Sequence, residues 1–297
     1  VSDEILKRSA DAYRRIRNTA RFLLGNLHGF DPAQHLVAHD DCLLLDQWAM
    51  AKARKLNDDI WKAYGEYDFA KVVSLVQNFC TNELGSLYLD VTKDRLYTMP
   101  VDSRGRRSAQ SAMFRIAEAF ARWIAPVLSF TAEEIWQHLP GSREAHVLLS
   151  SAGDLDFLLP AHGSYVSTDG ESMQALLALR AKVVGLLEEY RQNGTIGASL
   201  QAEVTLGLTP EALRMFEFFA AELKFLFITS KLELVPIEKT AVGFQATSWS
   251  GLPSQIDLRF KVESSNCAKC VRCWHYRADV GTFADDPELC GRCVENV

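Results

Sequence analysis

No run of apolar residues in this chain approaches the roughly 18 needed to cross a bilayer, which excludes a membrane-spanning helix from the reading. The opening residues, Val1-Ser-Asp-Glu, supply neither the basic nor the apolar region of a secretory signal, and no initiator methionine precedes them. The expectation is a cytoplasmic protein and an excised or processed piece of something longer. Positive charge is in deficit: the formal net charge of −6 argues against a protein that coats nucleic acid non-specifically, because phosphate binding draws on excess Lys and Arg. Any nucleic-acid contact must come from local basic patches. Catalytic signatures are missing as well, with no GxxxxGK[ST] phosphate loop, no GxGxxG, no GxSxG and no acidic pair placed for acid/base work. The histidines at 28, 35, 39, 138, 146 and 162 lack the HExxH spacing of a metal ligand pair. Binding rather than catalysis is the expectation.

What is present is an ordinary globular composition, 48% hydrophobic over 297 residues, enough to bury a full core and to form about two domains. Seven cysteines, five of them within Cys267 to Cys293 and two isolated at Cys42 and Cys80, fit a reducing compartment better than a disulfide framework.

The first 140 residues carry helical periodicity. Ser2 is positioned as an N-cap, Asp3 and Glu4 follow in the first turn, and Ile5, Ala12, Ile16, Ala20, Leu23 and Leu27 share a face until Gly25 and Gly29 interrupt it. A second helix is expected from Asp40 or Asp41 to Gly65, and a third, capped by Asp68, from Phe69 to Leu87. Lys93 to Arg107 reads as a loop, Ala109 to Trp123 as a fourth helix ended near Pro126. Thr131-Ala-Glu-Glu134 has the form of a capping box, with Phe130 placed to staple onto Ile135. Beyond a region without periodicity, residues 171 to 192 read as a helix. Short apolar or alternating runs follow at Glu203 to Leu208, Phe225 to Thr229, Leu232 to Pro236 and Ile256 to Val262, with a helix start at Thr209-Pro210-Glu211. The expected fold is therefore multidomain, α followed by α/β. It comprises an antiparallel helix bundle over 1–140, a linker or crossing segment over 141–170, a small α/β domain over 171–262 and a ribbon-like zinc module over 263–297.

Cys270-Val-Arg-Cys273 and Cys290-Gly-Arg-Cys293 are two matched CxRC knuckles separated by sixteen residues, the spacing of a tetrathiolate zinc site. Four closed ligands leave no position for water, so the zinc is expected to be structural. A redox CxxC would occur singly at the start of a helix after a strand, whereas here two occur in tandem. Cys267-Ala-Lys-Cys270 offers a second register with a nineteen-residue spacer; the matched halves favour Cys270 and Cys273 and leave Cys267 without metal.

Two arginine clusters stand out against the net negative charge. Arg14, Arg17 and Arg21 share a face of the first helix, and Arg104, Arg106 and Arg107 fall in the expected loop, where flexible cations suit phosphates. The plain alternative for both is a solvated, solubilising surface. Trp48, Trp61, Trp123 and Trp136 fall within helices and are expected in the core, but Trp274 sits in a knuckle too small to bury it, where it can stack on a base or dock on a neighbouring domain.

Taken in order, several segments resemble a known family. They are Tyr13-Arg-Arg-Ile-Arg-Asn-Thr-Ala-Arg-Phe22 with Leu24-Gly-Asn26, Leu45-Asp-Gln-Trp48, and Tyr88-Leu-Asp-Val-Thr-Lys-Asp-Arg-Leu-Tyr97. Ala125-Pro126 through Phe130-Thr-Ala-Glu-Glu-Ile-Trp136, Ile196-Gly-Ala-Ser-Leu200 and the two CxRC knuckles with Trp274 complete the set. Together they are similar to the C-terminal third of bacterial-type isoleucyl-tRNA synthetases. The resemblance implies an anticodon-binding helical bundle of the class I type and a zinc-bearing end that completes the grip on tRNA(Ile). It implies Cys270, Cys273, Cys290 and Cys293 as zinc ligands and Arg272 and Trp274 facing the anticodon. ATP and Mg2+ would belong to a catalytic domain outside this chain, in a parent expected to be a cytoplasmic monomer. Cys267 is an extra thiol beside the family's four. Two rivals remain: a zinc-finger DNA-repair glycosylase, which would use an N-terminal proline where this chain has Val1, and a helical interaction module with a zinc ribbon, which would not bind RNA.

Overall fold

The computed structural model describes residues 2–151, 171–217, 219, 222–240, 243–249 and 256–296. Most of the expected 141–170 linker, and His162 with it, lies outside the described residues. The chain forms two compact units, Val1–Thr168 and Asp169–Val297.

The first unit is helical. Ser2 accepts from the Ile5 amide and starts α1, Asp3–Asn26, which runs past Gly25. Asp31 caps the short α2, Pro32–His35, and α3 spans Leu44–Gly65, starting after a 3₁₀ turn at His39–Asp41 and so three or four residues later than expected. Asp68 caps α4, Phe69–Asn78. The chain then continues without a break through a π-helical segment, Phe79–Tyr88, into α5, Leu89–Thr98, and Leu89 N–H bonds the carbonyl of Leu84 five residues back. In this segment a Cβ on Gly85 would stand 2.7 Å from the carbonyl oxygen of Cys80, so glycine is required there.

The expected loop over Lys93 to Arg107 is therefore mostly helix. Only the residues between Thr98 and Arg104 form a connection, and Ser103 caps α6, Arg104–Ile124. That helix is buried along nearly its whole length and packs against α1, α3 and α5, and against α7, Ser129–His138. The capping box also fails to form: α7 begins two residues before Thr131, whose hydroxyl instead meets Tyr13, and Phe130 is 94% exposed rather than stapled to Ile135. Trp48, Trp123 and Trp136 lie in the core, and Asn57 accepts from the indole nitrogens of both Trp61 and Trp123, at 2.7 and 3.0 Å.

In the second unit α8, Glu171–Gln192, packs against a sheet of order β2-β1-β4-β3. Central β1, Ala202–Leu208, is parallel to β2, Lys231–Pro236, and antiparallel to β4, Ile256–Ser264. Strand β3, Gln245–Trp249, adds an antiparallel edge that the sequence reading did not anticipate. Ala202, Val204, Leu206 and Leu208 of β1 share one face and are buried, while Glu203 and Thr205 on the other face are half-buried. Between β1 and β2 lie α9, Pro210–Glu217, and α10, Leu223–Phe227. The apolar run expected as a strand at Phe225 to Thr229 is thus the end of a helix, closed by Ile228 at φ 55°. Short apolar runs do not distinguish strand from buried helix by periodicity alone. Strands β5, Ala268–Lys269, and β6, Tyr276–Arg277, pair around the first cysteine knuckle, and α11, Gly291–Glu295, starts at the second.

Candidate metal centre and nucleic-acid interface

The β5–β6 ribbon turns through Cys270-Val-Arg-Cys273, with Cys270 N–H bonding the His275 carbonyl and Trp274 N–H the Cys270 carbonyl, both at 2.9 Å. The second knuckle begins with Cys290 as the N-cap residue of α11. Asp279 ties it down by accepting from the Gly291 amide at 3.0 Å and from the Arg277 guanidinium, and a Cβ on Gly291 would stand 3.0 Å from that carboxylate.

These turns bring the sulfurs of Cys270, Cys273, Cys290 and Cys293 within 4.8 Å of one another, all four buried. Cys273 and Cys290 are 3.7 Å apart, and a tetrahedron with zinc–sulfur bonds of about 2.3 Å has an edge of about 3.8 Å. The donor set, number and spacing fit one tetrahedral zinc ion. Cys267 is not part of the cluster.

Burial raises the Cys270 thiol pKa, but backbone N–H groups of Cys273, Cys290 and Arg272 outweigh it and bring the value down to about 6. Cys273 and Cys293 are pushed up, first by burial, and Cys293 further by the charge of Cys273. Four thiolates this close repel one another, and a dication at their centre is what holds them all deprotonated.

The knuckle arginines are internal braces. Arg272 donates to the Cys293 carbonyl at 3.0 Å, tying the first knuckle to the second, and Arg292 lies over the Phe225 ring with its guanidinium carbon 5.4 Å from the centroid. Trp274 is the displayed group. It is 59% exposed at φ 64°, a backbone conformation costly for a bulky residue, with its indole N–H on the Val271 carbonyl and Lys269 Nζ 5.2 Å from the ring centroid.

The helical unit separates the other arginines. Arg14 is paired with Asp11, and Arg17 with Glu134 of α7 through both amino nitrogens, at 2.9 and 3.3 Å. Arg21 has no ion-pair partner among the described residues. The second cluster is not a set of flexible loop cations, because helix α6 begins at its first member. Arg104 donates to the Asp41 carbonyl, Arg106 lies in the first turn, and Arg107 is buried with its guanidinium on Asp102 and Gln110.

A family model described as "Anticodon-binding domain of tRNA ligase" matches residues 46–206, more than half of the chain. The chain belongs to the anticodon-binding family of tRNA ligases. A second model, "Zinc finger found in FPG and IleRS", matches residues 269–296, the two knuckles. Relatives named isoleucine–tRNA ligase, from Stenotrophomonas maltophilia (strain R551-3) and Xanthomonas campestris pv. campestris (strain 8004), are each 52% identical over all 297 residues. The relative from Xanthomonas oryzae pv. oryzae (strain MAFF 311018) is 51% identical over the same span. The chain spans 30% of the length of each of these relatives.

In the helical unit, two of the segments that carry the family resemblance meet in the core. Asp46, fully buried, accepts from the Arg95 guanidinium at 2.8 and 3.3 Å, from the Tyr88 hydroxyl at 2.8 Å and from the Ser108 hydroxyl, while Ser108 accepts from the Leu43 amide. Sequence reasoning did not identify this cluster. The available signal was a carboxylate and an arginine at positions where helical periodicity demands apolar side chains.

Proposed function

We propose that this chain is the tRNA-recognising part of an isoleucine–tRNA ligase: an antiparallel anticodon-binding bundle, a small α/β unit and one structural zinc that together bind the anticodon stem and loop of tRNA(Ile). The carrying observation is that an anticodon-binding match and a zinc-finger match sit in one chain that is 52% identical along its whole length to proteins named isoleucine–tRNA ligase. The zinc finger alone would not decide between the two kinds of protein in its description; the helical match favours the ligase. Cys270, Cys273, Cys290 and Cys293 hold the zinc, which supplies order by tying two knuckles together and, with four closed ligands, activates no water. Trp274 supplies contact, and Arg272, by bonding the Cys293 carbonyl, holds together the knuckles that display it. In the helical unit, Arg14, Arg17 and Arg21 of α1 and Arg104 at the start of α6 are the further residues assigned to RNA contact. Attachment of isoleucine, with ATP and Mg2+, belongs to the rest of a cytoplasmic, monomeric parent.

The test is binding of this chain to tRNA(Ile) and to the same tRNA with a swapped anticodon, at several salt concentrations, alongside zinc analysis. One zinc per chain and a preference for the native anticodon are expected. Equal affinity for the two RNAs at moderate salt sinks the recognition role. Trp274→Ala is expected to retain the metal and weaken RNA binding by about 1–3 kcal/mol, the range for loss of one base–aromatic stack.

A further inference from the structure

Helices α1 and α7 enclose a groove of about 260 Å³ lined by Arg17, Arg21 and Leu24 on one side and Thr131, Glu134 and His138 on the other. Its size is below the roughly 300–1,000 Å³ of pockets that enclose a whole small molecule, so it suits a phosphate and sugar that belong to something larger. Its charge suits an anion. Glu134 is matched by Arg17, which leaves Arg21, with no ion-pair partner among the described residues, as the surplus cation in the groove. His138 donates Nδ1–H to the Glu134 carbonyl at 2.8 Å, so only Nε2 remains available to an occupant.

Two aromatics lie beyond one end of the groove, outside its lining. Tyr13 and Thr131 are hydrogen-bonded across it at 3.2 Å, and next in sequence to Thr131 is Phe130, 94% exposed and one helical turn before Glu134. Nothing in the helix explains this residue, since the capping arrangement that would bury it does not form. Arg21 and Phe130 stand at opposite ends of the groove, about two helical turns or roughly 12 Å apart, a span that one or two nucleotides of single-stranded nucleic acid can bridge, with phosphates on Arg or Lys and bases stacked on aromatics.

We propose that the α1–α7 groove is a subsite for a short stretch of single-stranded RNA, in which Arg21 holds a backbone phosphate and a base one or two nucleotides along stacks on Phe130. Glu134 has a positioning role: by fixing Arg17 it keeps the groove to one uncompensated charge and hence one phosphate. This rests on the reading of the chain as a tRNA-binding protein.

The experiment is a salt titration of tRNA(Ile) binding by the 297-residue chain and its Arg21→Ala, Phe130→Ala and Phe130→Trp variants, each checked for unchanged helicity. Arg21→Ala should lower the slope of log affinity against log salt by about 0.7–0.9, one phosphate's worth. Phe130→Ala should weaken binding roughly 5- to 150-fold with the slope unchanged, and Phe130→Trp should restore it. Affinity and slope unaltered in all variants, with the unaltered chain still preferring its native anticodon, would overturn the subsite and leave the recognition role standing. Loss of anticodon preference in the unaltered chain removes the recognition role itself. A Phe130 effect that tryptophan does not rescue also overturns the stacking half of the proposal.

Discussion

Replacing Asp46 with alanine is expected to destabilise the helical unit by about 3–5 kcal/mol, the cost of removing one partner from a buried ion pair. The geometry supports the upper part of that range. Side-chain exposure is 0% for Asp46 and 7% for Arg95, so neither charge is relieved by water when its partner goes. The same change takes the acceptor from Ser108 and leaves the Tyr88 hydroxyl only the Ala109 carbonyl at 3.4 Å, and each buried group left without a bond costs about 1–3 kcal/mol, although the losses overlap. Against a typical total stability of about 5–15 kcal/mol, one carboxylate decides whether the unit is robust. Urea unfolding followed by tryptophan fluorescence measures this, because Trp48, Trp61, Trp123 and Trp136 report on the first unit. The midpoint should fall by more than 1 M, at a slope of about 1–3 kcal/mol per molar urea. A paired Asp46→Leu, Arg95→Met variant should recover most of the loss, since a buried pair replaced by apolar groups of similar volume is often neutral. A loss below about 1 kcal/mol for Asp46→Ala, or a double variant no better than the single, would refute the reasoning.

Replacing Cys290 with serine should release the metal and disorder the region of the two knuckles while the tryptophans of the first unit report an unchanged fold; cooperative loss of both would contradict it. Thiol titration of the zinc-loaded chain should find Cys267 reactive, the four clustered cysteines reactive only after chelation, and Cys42 and Cys80, whose pKa values burial pushes up to about 11 and about 12, reactive only on unfolding. Glu133 is held down to about 2, first by His146, then by Gln137 and the Val147 amide. Because its folded value lies below the ordinary 4.5, the clamp on residues 146 and 147 should be complete above that pH and lost as pH falls towards 2; hydrogen exchange at Val147 that is unchanged between pH 5 and pH 2, after correction for the intrinsic rate, would exclude it.

The four-cysteine cluster was legible in the sequence because its determinants are local: two CxRC turns fix two sulfur pairs before any tertiary contact forms. The cap residues Ser2 and Asp68 were legible for the same reason. What could not be seen was competition from distant partners. Thr131 and Glu134 have the spacing of a capping box, but Tyr13 and Arg17, more than a hundred residues earlier, claim both side chains. Arg107 looks like a loop cation until the Ser103 cap and Asp102 draw it into a helix start. Polar β3 carries too little apolar alternation to declare itself, and exists because β4 offers it an edge.

The π-helical stretch gives the long α4-to-α5 rod a property that no single side chain shows. Each widened turn holds one residue more than an α-turn would, so the stretch acts as a phase shifter between the two ends. Forcing ordinary α-helical bonding through these ten residues with none removed would overwind the stretch and turn everything downstream, carrying Arg95 off the face that meets Asp46. Loss of a residue can be absorbed by narrowing one wide turn, but closing the wide turns at constant length cannot. Keeping those turns open, which Gly85 permits, is what holds the two ends of the rod in phase.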